Sequence, residues 1–218
     1  MELYLIRHAE SEVNIRMDLP RAALDAGLTK QGQRQARALA RWLPREVVQV
    51  DALYASTMKR ARETVAYLAK AYKREIVFDD RLREIGNNHR DGSPVPGDAL
   101  PNQYSSQSTF SFPFTPVAPM IENSETAMDF RARVGRFLDE LILNHARETV
   151  VVVTHGGTIN AVADAVFNVG TYRRSDLRLQ NTSVSRFEYR GPNEWETWRI
   201  YYIGRVDHLA RLGPAAQS

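Results

Sequence analysis

The chain of 218 residues contains no cysteine. Disulfide scaffolds, thiolate nucleophiles and cysteine-held metals are therefore excluded, and a reducing compartment is permitted. No apolar stretch approaches the ~20 residues that cross a bilayer. The amino terminus (Met1-Glu2-Leu3-Tyr4-Leu5-Ile6-Arg7-His8) carries charge too early for a secretory signal and shows no cleavage site. A soluble, cytoplasmic protein with no membrane partner is expected. An excess of one charge is also missing: 29 Lys and Arg face 26 Asp and Glu. The basic residues are spread rather than run together, so no nucleic-acid partner is expected. Repeats are absent, and the length suits one domain, residues 1–218, with a sizeable core.

What is present alternates between two periods. Leu3 to Ile6 reads as a buried strand, Asp51 to Ala55 as a second, Glu75 to Phe78 as a weaker third. Thr149 to Thr154, with four consecutive Val, suits a central parallel strand buried on both faces. Gln31 to Leu43 has helical spacing, begins after Thr29 as a cap and should stop at Pro44. A second helix should be capped by Ser56 or Thr57, a third begins at Ser124, and a short fourth runs from Thr158 to Phe167. Ser183 to Tyr189 and Trp195 to Ile203 flank a turn at Gly191-Pro192-Asn193 and predict a β-hairpin. The tail from Leu209 should be loose. The expected fold is α/β, with a largely parallel central sheet, at least one antiparallel strand and helices on both faces.

From Gly86 to Asn123 neither period holds. The segment is rich in Pro, Ser, Gly, Asn and Phe, and long unstructured stretches inside compact domains are usually lids or binding loops. Tyr104, Phe110, Phe112 and Phe114 argue against plain disorder. A cap or lid insertion at about 86–123 is the expectation. No Lys or Arg occurs from Asp91 to Phe130.

Three strand ends carry chemistry: Arg7-His8, the turn from Ser56 to Arg60, and His155-Gly156-Gly157. Were the three strands neighbours, two His and two Arg would meet at one rim, where α/β sheets place their ligands. Arginine recognises phosphate oxygens bidentately, and the glycine pair at a helix start is an anion seat. Two imidazoles could supply one nucleophile and one positive clamp.

These motifs resemble those of the histidine phosphatase superfamily, which includes the cofactor-dependent phosphoglycerate mutases. Leu5-Ile6-Arg7-His8-Ala9-Glu10-Ser11, followed by Asn14, is similar to its Arg-His-Gly signature. Ser56, Arg60, Ala61 and Thr64 resemble its second motif, Leu82-Arg83-Glu84 its proton-donor segment and Thr154-His155-Gly156-Gly157 its second histidine motif. Leu28-Thr29 with Gly32, Ser124-Glu125 and Asn181-Thr182-Ser183 also fall where members have similar residues. The resemblance implies His8 as nucleophile, Glu84 as proton donor, and His155, Arg7, Asn14, Arg60 and Gly156 as phosphate-binding groups. It implies neither metal nor cofactor. Ala9 replaces the usual glycine and should crowd the pocket floor by a methyl.

A mutase must also hold a bisphosphorylated intermediate, and the cap lacks the basic residues for a second anion. The expected activity is therefore a phosphomonoesterase acting through phosphohistidine on a small phosphorylated metabolite. The alternatives are a phosphoglycerate mutase, to which Arg16 and Arg21 could contribute, or a weakly active phospho-ligand-binding protein. His89 and Arg90 are candidate second contacts to substrate. His145 should answer a helix dipole, and His208 has no expected role.

Overall fold

The structure, a computed structural model, describes residues 1–15, 25–96, 124–170 and 176–212. Strands and helices follow the order β1 (Glu2–Arg7), α1 (Glu12–Ile15), α2 (Lys30–Glu46), β2 (Ala52–Ser56), α3 (Lys59–Tyr72), β3 (Val77–Asp79), α4 (Ala127–Asn144), β4 (Thr149–Thr154), α5 (Gly156–Val166), β5 (Val184–Tyr189) and β6 (Trp198–Arg205). Single 3-10 segments cover Asp80–Leu82 and Asp207–Leu212. One six-stranded sheet has the order β3-β2-β4-β1-β5-β6. Its first four strands are mutually parallel, and β5 runs antiparallel to both β1 and β6.

The two-residue period of the strands divides the core. Leu3 and Leu5 of β1, with Val150 and Val152 of β4, pack under Phe130, Val134, Phe137 and Leu141 of α4 and Ile159 and Val162 of α5. Tyr4, Ile6, Val151 and Val153 point the other way, against Leu39 and Leu43 of α2 and Val65 and Leu68 of α3. Burial on both faces explains the unbroken valine run, whose branched side chains suit a pleated, fully covered strand. The expected α/β architecture with helices on both faces is what the chain adopts.

Local differences have local causes. Helix α2 does not stop at Pro44 but includes it. Proline so near a carboxyl end removes one donor, and the Val47 N–H closes the last turn on the Leu43 carbonyl at 2.8 Å. Helix α3 is capped neither by Ser56 nor by Thr57: Met58 holds the cap position without a side-chain bond. The Lys59 N–H instead donates to Asp25 Oδ1 at 2.8 Å, a partner 34 residues away. Helix α4 starts at Thr126, which forms a reciprocal capping box with Asp129. The tail is not loose at Leu209, which is fully buried. Of the expected cap, residues 97–123 lie outside the described ones. Residues 86–96 form a closed turn, with the Val95 N–H donating to the Asn87 carbonyl at 3.0 Å.

Candidate active site

Strand β1 lies directly beside β4, and β4 beside β2, so their carboxyl ends open on one rim. Arg7 is opposite Thr154 in the parallel register. The ladder continues one residue beyond, with the His8 N–H donating to the Thr154 carbonyl at 2.8 Å. The His8 carbonyl accepts from Asn181 Nδ2 at 3.0 Å, and the Thr182 N–H donates to the Arg7 carbonyl at 3.0 Å. Thr182 holds φ +59°, a left-handed conformation costly for a β-branched residue. The Ala9 N–H donates to Thr64 Oγ1 at 3.0 Å. The backbone of the motif is thus fixed from three directions. The Ala9 methyl belongs to a small cluster with Leu28 and Ala36. Its contacts there are apolar.

His8 is buried, at 3% exposure. Its Nδ1 lies 2.8 Å from the Ala9 carbonyl, which can only accept, so these partners assign the proton to Nδ1. Nε2 then carries the lone pair, and it accepts from Arg60 Nε at 3.1 Å. His155 is fully buried, its ring 5.0 Å from that of His8 and tilted by 60°. Its Nε2 is 2.8 Å from Ser56 Oγ, whereas its Nδ1 is buried with no hydrogen-bond partner among the described residues. Both imidazoles are held well below their ordinary pKa, first by burial and then by the Arg60 and Arg7 guanidinium groups. His8 is therefore a neutral imidazole at physiological pH. His155 is neutral as well, so the positive charge beside the two rings is that of the arginines.

Glu84 follows the Asp80–Leu82 turn and lies across the start of α5. Its Oε2 accepts from the Gly157 N–H at 3.1 Å and its Oε1 from the Ile85 N–H at 3.0 Å. A Cβ at position 157 would overlap Glu84 Oε1. Of the two glycine amides expected at the anion seat, one is therefore occupied by the carboxylate. Gly156 sits beside Arg7: a Cβ there would lie 3.9 Å from Arg7 Nε. Arg7 also donates through its NH1 to the Leu179 carbonyl. Asn14 Oδ1 accepts from the Ser11 N–H and Oγ, each at 3.0 Å, and lies 3.4 Å from Asn181 Nδ2.

A buried base-competent imidazole, guanidinium groups and a nearby carboxylate can move a phosphoryl group, and the comparisons agree. The family model of the histidine phosphatase superfamily (branch 1) matches residues 3–200. The chain belongs to that superfamily. Phosphoserine phosphatase 1 of Hydrogenobacter thermophilus is 30% identical over 185 residues, covering 85% of each chain. A Proteus mirabilis protein named a probable phosphoglycerate mutase is 25% identical over 97% of this chain and 96% of its own. The solved structure of Bacillus stearothermophilus YhfR superposes with a TM-score of 0.74 at 27% identity, covering 95% of this chain and 98% of that one. This histidine phosphatase is a phosphoric monoester hydrolase.

Several residues around the histidine phosphatase site have contacts that their place in the sequence does not specify. Ser56 reads as a cap but orients His155. Thr64, a residue of the second motif, accepts from the Ala9 N–H and donates to the Arg60 carbonyl at 2.7 Å. Leu179 contributes only its carbonyl, which no side-chain pattern announces. His145, the carboxyl cap of α4, lies 2.6 Å from Glu148 Oε2 and 2.9 Å from the Tyr54 hydroxyl. His208 does have a partner: its Nε2 lies 2.9 Å from Thr182 Oγ1 behind the His8 strand. Arg90 is 3.4 Å from Asp129, which directs it to the base of α4. Arg62 lies over the Phe78 ring at 4.3 Å, on an exposed face.

Proposed function

We propose that this histidine phosphatase hydrolyses small phosphomonoesters in two in-line steps through a phosphohistidine on His8. His8 Nε2 attacks phosphorus while the bond to the leaving oxygen breaks, and Glu84 donates the proton that oxygen needs. The Ala9 carbonyl retains the Nδ1 proton and stabilises the cationic ring that results. Water then attacks phosphorus, Glu84 removes its proton, the P–N bond breaks, and inorganic phosphate leaves. Arg7 and Arg60 neutralise the phosphoryl oxygens, with Asn14 Nδ2 and the Gly156 amide as neutral donors. For His155, Nδ1 is the assigned atom, since Nε2 is spent on Ser56. On binding, Arg60 must exchange its bond to His8 Nε2 for phosphoryl oxygens, which frees the lone pair. The observation that carries this reading is the tautomer of His8, fixed by Ala9 with Nε2 facing Arg60.

The arginines supply the charge the transfer needs, so neither metal nor cofactor enters the scheme. The single domain with its lid at about 86–123 and a cytoplasmic setting complete the proposal. Phosphoserine, the substrate in the name of the Hydrogenobacter relative, is the first metabolite to assay. The test is hydrolysis in EDTA with acid-quenched trapping of labelled enzyme. Wild type should release phosphate and yield an acid-labile phosphoenzyme. His8→Ala should lose at least ~10³-fold in kcat and trap no label. A phosphoenzyme that survives His8→Ala rejects the scheme. The Proteus relative's name keeps a mutase reading in view; efficient conversion of 3-phosphoglycerate to 2-phosphoglycerate, with catalytic 2,3-bisphosphoglycerate, would select it.

A further inference from the structure

The most buried ion pair among the described residues lies outside the phosphate site. Arg133 of α4 and Glu125 are each 1% exposed. Arg133 Nε donates to Glu125 Oε2 at 2.8 Å, and its NH2 is 2.5 Å from Oε1. The guanidinium also reaches the backbone that carries Glu84. Its NH1 donates to the carbonyls of Arg81 at 2.6 Å and Arg83 at 3.0 Å, and its NH2 lies 3.5 Å from that of Glu84. Glu125 Oε1 takes the Gly86 N–H at 3.1 Å, on the far side of Glu84. The Glu125 N–H itself donates to the Asn88 carbonyl at 3.0 Å.

These bonds have a common consequence. The segment from Arg81 to Asn88 has no strand or α-helical ladder to hold it after Leu82. The Arg81 and Arg83 carbonyls and the Gly86 amide are met instead by one guanidinium and one carboxylate, from the first turns of α4 and the residue before its cap. Thr154 Oγ1 also donates to the Leu82 carbonyl at 2.7 Å, and Thr158 Oγ1 to that of Arg83 at 3.2 Å. A planar five-donor fork can hold two carbonyls and a carboxylate at once, which an ammonium cannot. Glu84 has a second anchor at its tip, the Gly157 amide. With backbone and carboxylate both fixed, the acid faces the rim from one direction only.

We infer that the Arg133–Glu125 pair is a positioning device for Glu84, setting proton delivery to the leaving group without touching substrate. The inference rests on Glu84 being the proton donor. A misplacement of about 1 Å in a catalytic group can cost ~10²-fold, and only leaving groups that need protonation should feel it. The readout is kcat/KM for two substrates of the same purified protein, because it reports only the first transfer. An alkyl phosphate such as phosphoserine leaves as a strong base; 2,4-dinitrophenyl phosphate leaves as a weak one.

Arg133→Lys keeps the charge and loses the fork. It should lower kcat/KM for phosphoserine by roughly 10- to 100-fold and change that for 2,4-dinitrophenyl phosphate less than about threefold. Arg133→Met with Glu125→Leu removes the pair without stranding a charge and should show the same selectivity, with circular dichroism reporting the fold. Equal losses on both substrates by the folded Lys variant, or no loss on either, overturn the inference. Glu84→Gln distinguishes the underlying reading: if it fails to discriminate between the substrates, Glu84 is not the proton donor. If it discriminates and Arg133→Lys does not, the positioning role alone is lost.

Discussion

At the scale of the residue, what this site demands is atoms with one role each. The Ala9 carbonyl decides which nitrogen of His8 is basic, and Ser56 engages one nitrogen of His155, so that in the proposed scheme the other is left for the phosphoryl group. Gly157 is needed for a different reason, since any side chain there would occupy the place of the Glu84 carboxylate. Its helical position does not require glycine, so Gly157→Ala should fold with wild-type stability to within about 1 kcal/mol. The displaced carboxylate should nevertheless lower kcat/KM for an alkyl phosphate by about 10²-fold. A variant with unaltered turnover would show that Glu84 acts from another position. The two histidines, Arg7 and Arg60 were legible because they stand at or just after strand ends with a chemical reason to be there, whereas Glu84 is singled out only by the resemblance of Leu82-Arg83-Glu84 to the family's proton-donor segment. Ser56 and Thr64 belong to the second motif, but their bonds to His155 and Ala9, like the contact of the Leu179 carbonyl with Arg7, exist only once distant strands have met.

The elements show the same division. The unbroken valine run of β4 and the alternation in β5 are set by burial of two faces or one, which the residue order records directly. Helix ends depend on remote groups: Asp25 satisfies the start of α3 across 34 residues, so no local cap could be read there. Helix α2 shows both kinds of information. Thr29 caps it as the sequence indicates, its Oγ1 accepting from the Gly32 N–H at 2.9 Å. The same hydroxyl donates to Glu10 Oε1 at 2.6 Å, while Gln35 Oε1 accepts from the Glu10 N–H at 2.8 Å. The first turn of α2 is thereby docked on the residues that follow His8. A Cβ on Gly32 would overlap the Glu10 carbonyl oxygen. Alanine is the better helix former by roughly 1 kcal/mol, yet Gly32→Ala should destabilise the protein by about 1–3 kcal/mol through overpacking. A midpoint in urea that rises would show that α2 is not seated on this backbone.

Across the whole molecule, stability against acid should depend on imidazoles that folding buries uncharged. Burial pushes His208 down to about 4, and His8 and His155 lie well below the ordinary value of 6.5. Below pH 6.5 the unfolded chain then binds protons that the folded chain refuses, so stability falls as pH falls. His208 alone should account for about 2 kcal/mol between pH 6.5 and 5. His208 is separable from the other two, because it bonds Thr182 while His8 and His155 lie together beside the arginines. His208→Gln should flatten part of the slope of unfolding free energy against pH without affecting the active site's share. Inorganic phosphate should flatten the rest, because an anion between Arg7, Arg60 and the two rings favours their protonated forms and stabilises the folded state by mass action. Denaturant unfolding at pH 7, 6 and 5, with and without phosphate, measures both. A slope that His208→Gln leaves intact would place the acid sensitivity elsewhere. A slope that phosphate leaves intact would mean that the rim between His8 and His155 does not bind the anion on which the catalytic scheme depends.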